Sequence, residues 1–284
     1  TGTRDRQGST IMTRRNTFFG IWLFFSMLIG ITGVVPSAQA QPETLTIAAA
    51  NSLKDALRKV LPRFEAEHPA INVRVIYGPS QSLRKQIEEG APVDIFLPSL
   101  FDEIDQLETK GLIIQGTKRA FAGTSLVLIT GAALPAPVRT IHDLETVPVR
   151  RIAIGDPKTS SVGKVAAQFL KYSKLEPKLK SQYVFGEHSR AVLDLVAKGE
   201  AEVGVVYRTD AASNDKVRIL DTAPVESHTP VRYGVAAVWT AKNVSGAGDF
   251  IEFLLAPQTQ ALFQEYGFDR VTGDVGLVQR QEVK

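Results

Sequence analysis

Small polar residues recur at four places where a predicted strand is followed at once by a predicted helix. Residues 51–52, 79–80, 160–162 and 188–189 form these loops, and each loop contains at least one serine. In an α/β sheet such loops gather at the carboxyl ends of the strands, where ligands bind. Hydroxyl groups and the free N–H groups of helix N-termini are neutral donors that favour an anion. The pattern predicts a site for a desolvated tetrahedral oxyanion, held by hydrogen bonds without a formal countercharge.

Other chemistries find weaker support in the sequence. Ser82 and Lys85 have the S-x-x-K spacing of a Ser/Lys hydrolase, but its companion S-D-N and K-T-G elements are missing. Residues 155–164 partly match a phosphate-binding loop, but the glycines are too far apart and Val165 replaces the magnesium-binding hydroxyl. The four histidines form no metal-binding pattern, so we expect them at the surface or in loops and predict no cation site.

The N-terminal segment has the three parts of a secretory signal peptide. Arg14 and Arg15 precede an apolar run at residues 18–35, and an A-x-A site follows at residues 38–40. We expect residues 1–40 to be a cleaved signal peptide, with residues 1–11 as an N-terminal extension before the first methionine. An uncleaved membrane anchor is the alternative, because the apolar run is nearly long enough to span a bilayer.

Charge and cysteine content exclude several classes of protein. After residue 40 the chain has equal numbers of acidic and basic residues, so it offers no basic surface for nucleic acid. The absence of cysteine excludes disulfides, thiolate metal sites and cysteine nucleophiles. The remaining length is sufficient for one large domain or two smaller lobes with a substantial core.

Apolar runs that resemble strands alternate with helical patterns along the rest of the chain, which predicts β-α-β units around mostly parallel sheets. The first helical pattern contains Pro62, which we expect to kink or shorten the helix. Two further apolar runs, residues 126–129 and 231–240, are predicted to be strands that cross between two lobes.

An internal similarity supports the two lobes. Residues 77–97 resemble residues 185–207, because an aromatic-glycine pair, a serine and a glycine recur in the same order. Ser80 thereby corresponds to Ser189, and Gly90 to Gly199. The expected division places residues 43–122 and 231–284 in lobe 1 and residues 123–230 in lobe 2.

Four motifs resemble those of the periplasmic molybdate-binding proteins of ABC-type molybdate importers. They are "AAANSLKDAL" at residues 48–57, "GAPVDIF" at residues 90–96, "GVVYRTDA" at residues 204–211 and "FLLAPQTQALFQEYGF" at residues 253–268. The resemblance covers nearly the whole chain after the signal peptide. It implies an α/β fold of the type II periplasmic binding proteins. In that fold two lobes, each a mostly parallel sheet flanked by helices, are joined by two crossing strands.

The resemblance also implies a set of ligand-binding residues. The family binds its anion through two serine hydroxyls, one tyrosine hydroxyl and backbone N–H groups from both lobes. Transferred by motif, these donors are the hydroxyls of Ser52, Ser80 and Tyr207 and the backbone N–H groups of Val162 and Ser189. No acidic residue stands at these positions, so the implied mode of binding is tetrahedral.

The function implied is transport without covalent chemistry. A periplasmic monomer would bind molybdate and also tungstate, without a cofactor or a bound cation, and deliver the ion to the membrane permease of an ABC importer. Two alternatives stay open. One is a sulfate or phosphate binder, which uses similar neutral donors, and the other is a hydrolase centred on Ser82.

Overall fold

Strands and helices alternate along the chain as the sequence predicts. The computed structural model describes residues 42–131 and 138–271. The predicted signal peptide and N-terminal extension lie outside these residues. Within the described ranges no helix is long and apolar enough to cross a membrane.

Ten strands and nine α-helices make up the described part of the chain. The strands are β1 Glu43–Ala50, β2 Ile71–Gly78, β3 Ile95–Leu97, β4 Arg119–Thr124, β5 Leu126–Thr130, β6 Ile152–Gly155, β7 Tyr183–Gly186, β8 Val203–Tyr207, β9 Arg218–Thr222 and β10 Val231–Ala237. The helices are α1 Lys54–Glu67, α2 Ser80–Glu88, α3 Asp102–Thr109, α4 Ser161–Tyr172, α5 Glu176–Leu179, α6 Ser189–Ala197, α7 Arg208–Ala212, α8 Val244–Leu255 and α9 Pro257–Glu265.

The strands form two five-stranded sheets with the same topology. The first sheet has the order β2-β1-β3-β10-β4, and the second has the order β7-β6-β8-β5-β9. In each sheet the first three strands pair in parallel, and the fourth, β10 or β5, is antiparallel to both of its neighbours. The antiparallel strand is the one that arrives from the other sheet, since β5 directly follows β4 and β10 follows β9. The predicted α/β class is confirmed.

The internal similarity seen in the sequence has a structural counterpart. Ser80 is the first residue of α2, and Ser189 is the first residue of α6. Gly90 and Gly199 follow these two helices, and both have a positive φ that favours glycine. The prediction of two related α/β units is therefore confirmed in topology and in local conformation. The residue boundaries of the two lobes remain a prediction.

Apolar periodicity explains how α1 packs, but not its length. Ala56, Leu57, Val60 and Phe64 are buried on one face of this helix. The expectation that Pro62 shortens the helix is wrong, because α1 continues to Glu67. Pro62 is exposed, so the carbonyl that loses its hydrogen bond can be solvated by water.

A buried carboxylate fixes the first sheet to the segment that follows β10. Asp94 accepts hydrogen bonds from the backbone N–H groups of Thr46 at 2.7 Å, Lys242 at 2.7 Å and Asn243 at 3.2 Å. Charged acceptors make stronger hydrogen bonds than neutral ones. This contact gives a structural reason for the aspartate in the "GAPVDIF" motif.

Candidate binding site

A small cavity lies where the carboxyl ends of β1, β2, β3, β6, β7 and β8 meet the loops that follow them. The cavity is small, with a volume of about 10 Å³. The residues around it are Ala50, Asn51, Ser52, Gly78, Pro79, Ser80, Ser99, Ser160, Ser161, Val162, His188, Ser189 and Tyr207. All five residues predicted as ligand donors are among them, so the structure brings them together from both sheets.

The first sheet contributes buried serine hydroxyls whose oxygens already accept a hydrogen bond. The Tyr233 hydroxyl donates to Ser52 Oγ at 2.9 Å. The Ser99 backbone N–H donates to Ser80 Oγ at 3.1 Å. A serine hydroxyl has one proton and two lone pairs. Because a lone pair of each oxygen is engaged from behind, the hydroxyl protons of Ser52 and Ser80 can be donated towards the cavity.

The second sheet contributes the N-termini of two helices. Val162 is the second residue of α4 and Ser189 the first residue of α6. The N–H groups of a helix's first turn have no intrahelical acceptor. No side chain caps α4, whereas His188 Nδ1 accepts from the Ala191 N–H of α6 at 3.1 Å. The N–H groups of Val162 and Ser189 are therefore available to an anion.

Close packing of two glycines positions the N-terminus of α4. A Cβ atom added to Gly163 would lie 2.4 Å from the Gly155 carbonyl oxygen at the end of β6. Only residues without a Cβ allow the helix to start so close to the strand. Gly155 and Gly163 belong to the segment that partly matches a phosphate-binding loop in the sequence. In the structure they allow the start of α4 to pack against the end of β6.

Tyr207 completes the predicted donor set from the last position of β8. Its hydroxyl oxygen lies 3.2 Å from Ser99 Oγ, which joins the two sheets across the cavity. Burial raises the pKa of Tyr207 well above its ordinary value, and it does the same to the pKa of Tyr233. Both phenols are consequently neutral O–H donors at physiological pH.

Two ion pairs join helices of the two sheets near the cavity. Lys164 pairs with Asp102, and Arg190 pairs with Asp55, so that each ion pair joins a helix of one sheet to a helix of the other. Arg190 Nε also lies 2.7 Å from Oδ1 of the buried Asp210. Burial raises the pKa of Asp210 to about 6, although Arg190 opposes the shift. The lining of the cavity itself is neutral.

The structure shows no comparable arrangement of described residues for a hydrolase centred on Ser82 or for a metal site. Ser82 lies in the first turn of α2 and does not line the cavity, and Lys85 is exposed to solvent. Across residues 42–131 and 138–271, no group of three His, Cys, Asp or Glu side chains is placed to bind a metal. Among the histidines, His188 lies in a loop as expected but also caps α6 beside the cavity.

Sequence reasoning missed Ser99 and Tyr233 at this site, and it placed Ser161 in the loop 160–162 without assigning it as a donor. Ser99 follows β3 and lines the cavity, and Tyr233 supports Ser52 from β10. Ser161 Oγ is buried against the cavity without a hydrogen-bond partner in the described part of the chain. The loop pattern that singled out the other serines also holds for Ser99, since a small polar residue there separates β3 from α3. No local signal marks Tyr233.

Known proteins resemble this chain in sequence and in fold. The family model described as "Bacterial extracellular solute-binding protein" matches residues 45–269. The chain belongs to this family. It is a family of solute-binding components of transport systems, not of enzymes. The resemblance read from the sequence motifs is thereby confirmed at the level of the family.

Two molybdate-binding relatives align with this chain over nearly their full length. The "Molybdate-binding protein ModA" of Escherichia coli is 32% identical over 261 residues, which cover 89% of this chain and 96% of the relative. The protein of the same name from Haemophilus influenzae is 31% identical over 246 residues, with 86% and 95% covered. The solved periplasmic molybdate-binding protein of Azotobacter vinelandii has a TM-score of 0.72 at 20% identity, covering 80% of this chain and 100% of that one, and shows the shared fold.

Proposed function

We propose that this solute-binding protein binds molybdate, and also tungstate, in the cavity lined by both sheets. The observation that carries the proposal is the donor set. The hydroxyls of Ser52, Ser80 and Tyr207 and the backbone N–H groups of Val162 and Ser189 surround one small space. A fully ionised tetrahedral oxyanion has only acceptors, so a ring of neutral donors complements it. The names of the two curated relatives support molybdate as the ion.

Cavity size and polarity support a small inorganic ion over an organic solute. The cavity is far smaller than the pockets that hold a sugar or an amino acid, and hydroxyl groups from both sheets line it. Neutral donors in a water-excluded site bind an anion strongly because hydrogen bonds to a charged group are stronger than those between neutral groups. The site needs no cation or cofactor to do so. Ion radius then decides between molybdate or tungstate and the smaller sulfate and phosphate.

Binding is proposed to close the two lobes around the ion in the periplasm. Residues 43–122 with 231–284 would form one lobe and residues 123–230 the other, with the hinge at the two connections between the sheets. The Ser99–Tyr207 contact and the ion pairs Lys164–Asp102 and Arg190–Asp55 would form on closure. A monomer in this closed state would present the ion to the permease of an ABC importer.

A thermal-unfolding titration tests the ligand directly. The purified protein is titrated with molybdate, tungstate, sulfate, phosphate and perchlorate, and the unfolding temperature is followed. An ion present at ~100 times its Kd adds roughly 2.7 kcal/mol to the free energy of unfolding. We expect this stabilisation with molybdate and tungstate only. A shift with sulfate or phosphate alone would keep an oxyanion site and overturn the proposed ion.

Two variants and a control connect the shift to the cavity. Ser52→Ala and Tyr207→Phe each remove one donor and should reduce the molybdate shift. Ser227→Ala is the matched control, because this buried serine donates to the Pro224 carbonyl and does not line the cavity. A Ser82→Ala variant should bind normally, whereas loss of a hydrolytic activity in that variant would favour the hydrolase.

A further inference from the structure

Ser99 lies between two donors of the proposed site and contacts both. Its Oγ lies 3.2 Å from Ser80 Oγ and 3.2 Å from the Tyr207 hydroxyl oxygen. Its backbone N–H donates to Ser80 Oγ at 3.1 Å. The residue is buried and lines the cavity. Ser99 lies in the loop that follows β3 of the first sheet, and Tyr207 ends β8 of the second, so this hydroxyl also joins the two sides of the cavity.

The number of hydroxyl protons on Ser80, Ser99 and Tyr207 limits which of these groups can donate to which. An ionised oxyanion only accepts, so Ser80 and Tyr207 each have to donate their single hydroxyl proton to it. Neither proton is then available to Ser99, so a hydrogen bond at either of its two 3.2 Å contacts requires the Ser99 hydroxyl to be the donor. Ser80 Oγ already accepts the Ser99 backbone N–H. Donation by the Ser99 hydroxyl to the Tyr207 oxygen then gives each of the two oxygens one donor, and we expect the proton to be directed there.

We infer that Ser99 is a positioning residue that holds the hydroxyl protons of Ser80 and Tyr207 towards the bound oxyanion. The inference rests on the proposed function, because only an acceptor in the cavity fixes the direction of the network. Ser99 acts on Ser80 through its backbone and on Tyr207 through its side chain. A side-chain substitution therefore tests the Tyr207 arm alone.

The direction of the network has a consequence for specificity. With its lone pair occupied by Ser99, the Tyr207 oxygen cannot accept a proton from the ligand. A protonated oxyanion such as hydrogen phosphate would place its own O–H against a donor, which is unfavourable for binding. Without the Ser99 hydroxyl, Tyr207 is free to turn and accept. Ser99→Ala should then weaken binding of molybdate about tenfold, the effect of one hydrogen bond, while binding of phosphate is unchanged or improved.

A double-mutant cycle separates positioning from a general structural role. Calorimetric Kd values for molybdate are measured for the wild type, Ser99→Ala, Tyr207→Phe and the double variant. If Ser99 acts through the Tyr207 hydroxyl, Ser99→Ala has little further effect once that hydroxyl is gone. An equal tenfold loss in both backgrounds would overturn the inference, as would a Ser99→Ala protein that binds as the wild type does.

Further variants keep the test decisive. Ser99→Cys retains the size of the side chain but is a weak donor, so it should reproduce the loss if the alanine variant does not fold. Ser227→Ala again serves as the control and should bind as the wild type does. If Ser99→Ala binds weakly but its preference for molybdate over phosphate is unchanged, the positioning role is wrong and molybdate binding stands. A wild-type protein without affinity for molybdate would overturn both proposals.

Discussion

The two sides of the cavity contribute different kinds of hydrogen-bond donor. One side contributes side-chain hydroxyls, and the other contributes mainly backbone N–H groups. The first sheet presents side chains, namely the hydroxyls of Ser52 and Ser80, and orients them with donors placed behind them. The second sheet presents mainly backbone, through the first turns of α4 and α6. Binding by the first side therefore depends on which residue is present at each position. Binding by the second side depends on where each helix begins.

The largest expected effect comes from moving a helix on the backbone side. Gly163→Ala would place a Cβ 2.4 Å from the Gly155 carbonyl oxygen, a backbone atom that cannot rotate away. The start of α4 must then shift, and the Val162 N–H with it. We expect the free energy of unfolding to fall by about 3 kcal/mol. The affinity for molybdate should fall at least about tenfold, the effect of losing the hydrogen bond of the Val162 N–H.

Gly248→Ala is the control for this substitution. Gly248 lies in the exposed part of α8, where an added Cβ meets no atom within 4 Å. Since alanine favours a helix, this variant should be about 0.5–1 kcal/mol more stable than the wild type and bind equally well. Normal binding by Gly163→Ala in calorimetry would show that the start of α4 does not contribute a donor.

Position 189 allows the backbone donor to be removed without removing the helix. Ser189 is the first residue of α6, where proline is favoured because its φ fits and the N–H makes no intrahelical bond. His188 before it is extended, with φ −153° and ψ 171°, as a residue preceding proline prefers. Ser189→Pro should weaken molybdate binding about tenfold, whereas Ser189→Ala should change it less than about threefold.

Circular dichroism would verify that α6 survives in both Ser189 variants, and calorimetry would give the two Kd values. The native Pro257 at the first position of α9 shows that the fold accommodates this arrangement. Equal losses in Ser189→Pro and Ser189→Ala would mean that the serine side chain, and not the backbone, is the donor. The contrast between the two sides of the cavity would then fail.

The parts of this site that lie close together in the sequence could be predicted, and the contacts between distant parts could not. The loops that contain Ser52, Ser80, Val162 and Ser189 could be predicted because a strand, a small polar residue and a helix follow one another within a few positions. The individual donors, Tyr207 included, came from the family resemblance. Tyr233 could not, since it is 181 residues from Ser52 in the sequence. Their contact depends on the register of β10, which returns to the first sheet after the chain has passed through the second.

Removing the support behind a side chain should have a smaller effect than removing the donor itself. Tyr233→Phe keeps the ring that packs edge-on against Phe268 and Tyr207 but deletes the hydroxyl that donates to Ser52 Oγ. The Ser52 proton is then less constrained, and molybdate affinity should fall about three- to tenfold. Tyr183→Phe, at a half-buried tyrosine remote from the cavity, should leave the Kd unchanged.

The smallest expected effect is a change in how stability depends on pH. His188 Nδ1 accepts from the Ala191 N–H, so the imidazole must be unprotonated at this nitrogen. Burial lowers the pKa of His188, Arg190 and Lys54 also lower it, and Glu187 and Asp194 oppose the shift. Below pH ~6.5 the unfolded chain therefore takes up a proton that the folded protein does not. The free energy of unfolding should fall as the pH falls through this window.

His188→Asn isolates that contribution, because asparagine caps a helix equally well but does not titrate. Between pH 7 and pH 5.5 the unfolding temperature of the wild type should decrease more than that of the variant. At pH 7.5 the two proteins should unfold at nearly the same temperature, since His188 is neutral there in both states. Identical pH profiles would show that His188 does not stabilise α6 as a neutral cap. The N-terminus of α6 would then be held in place by backbone contacts and not by the His188 side chain.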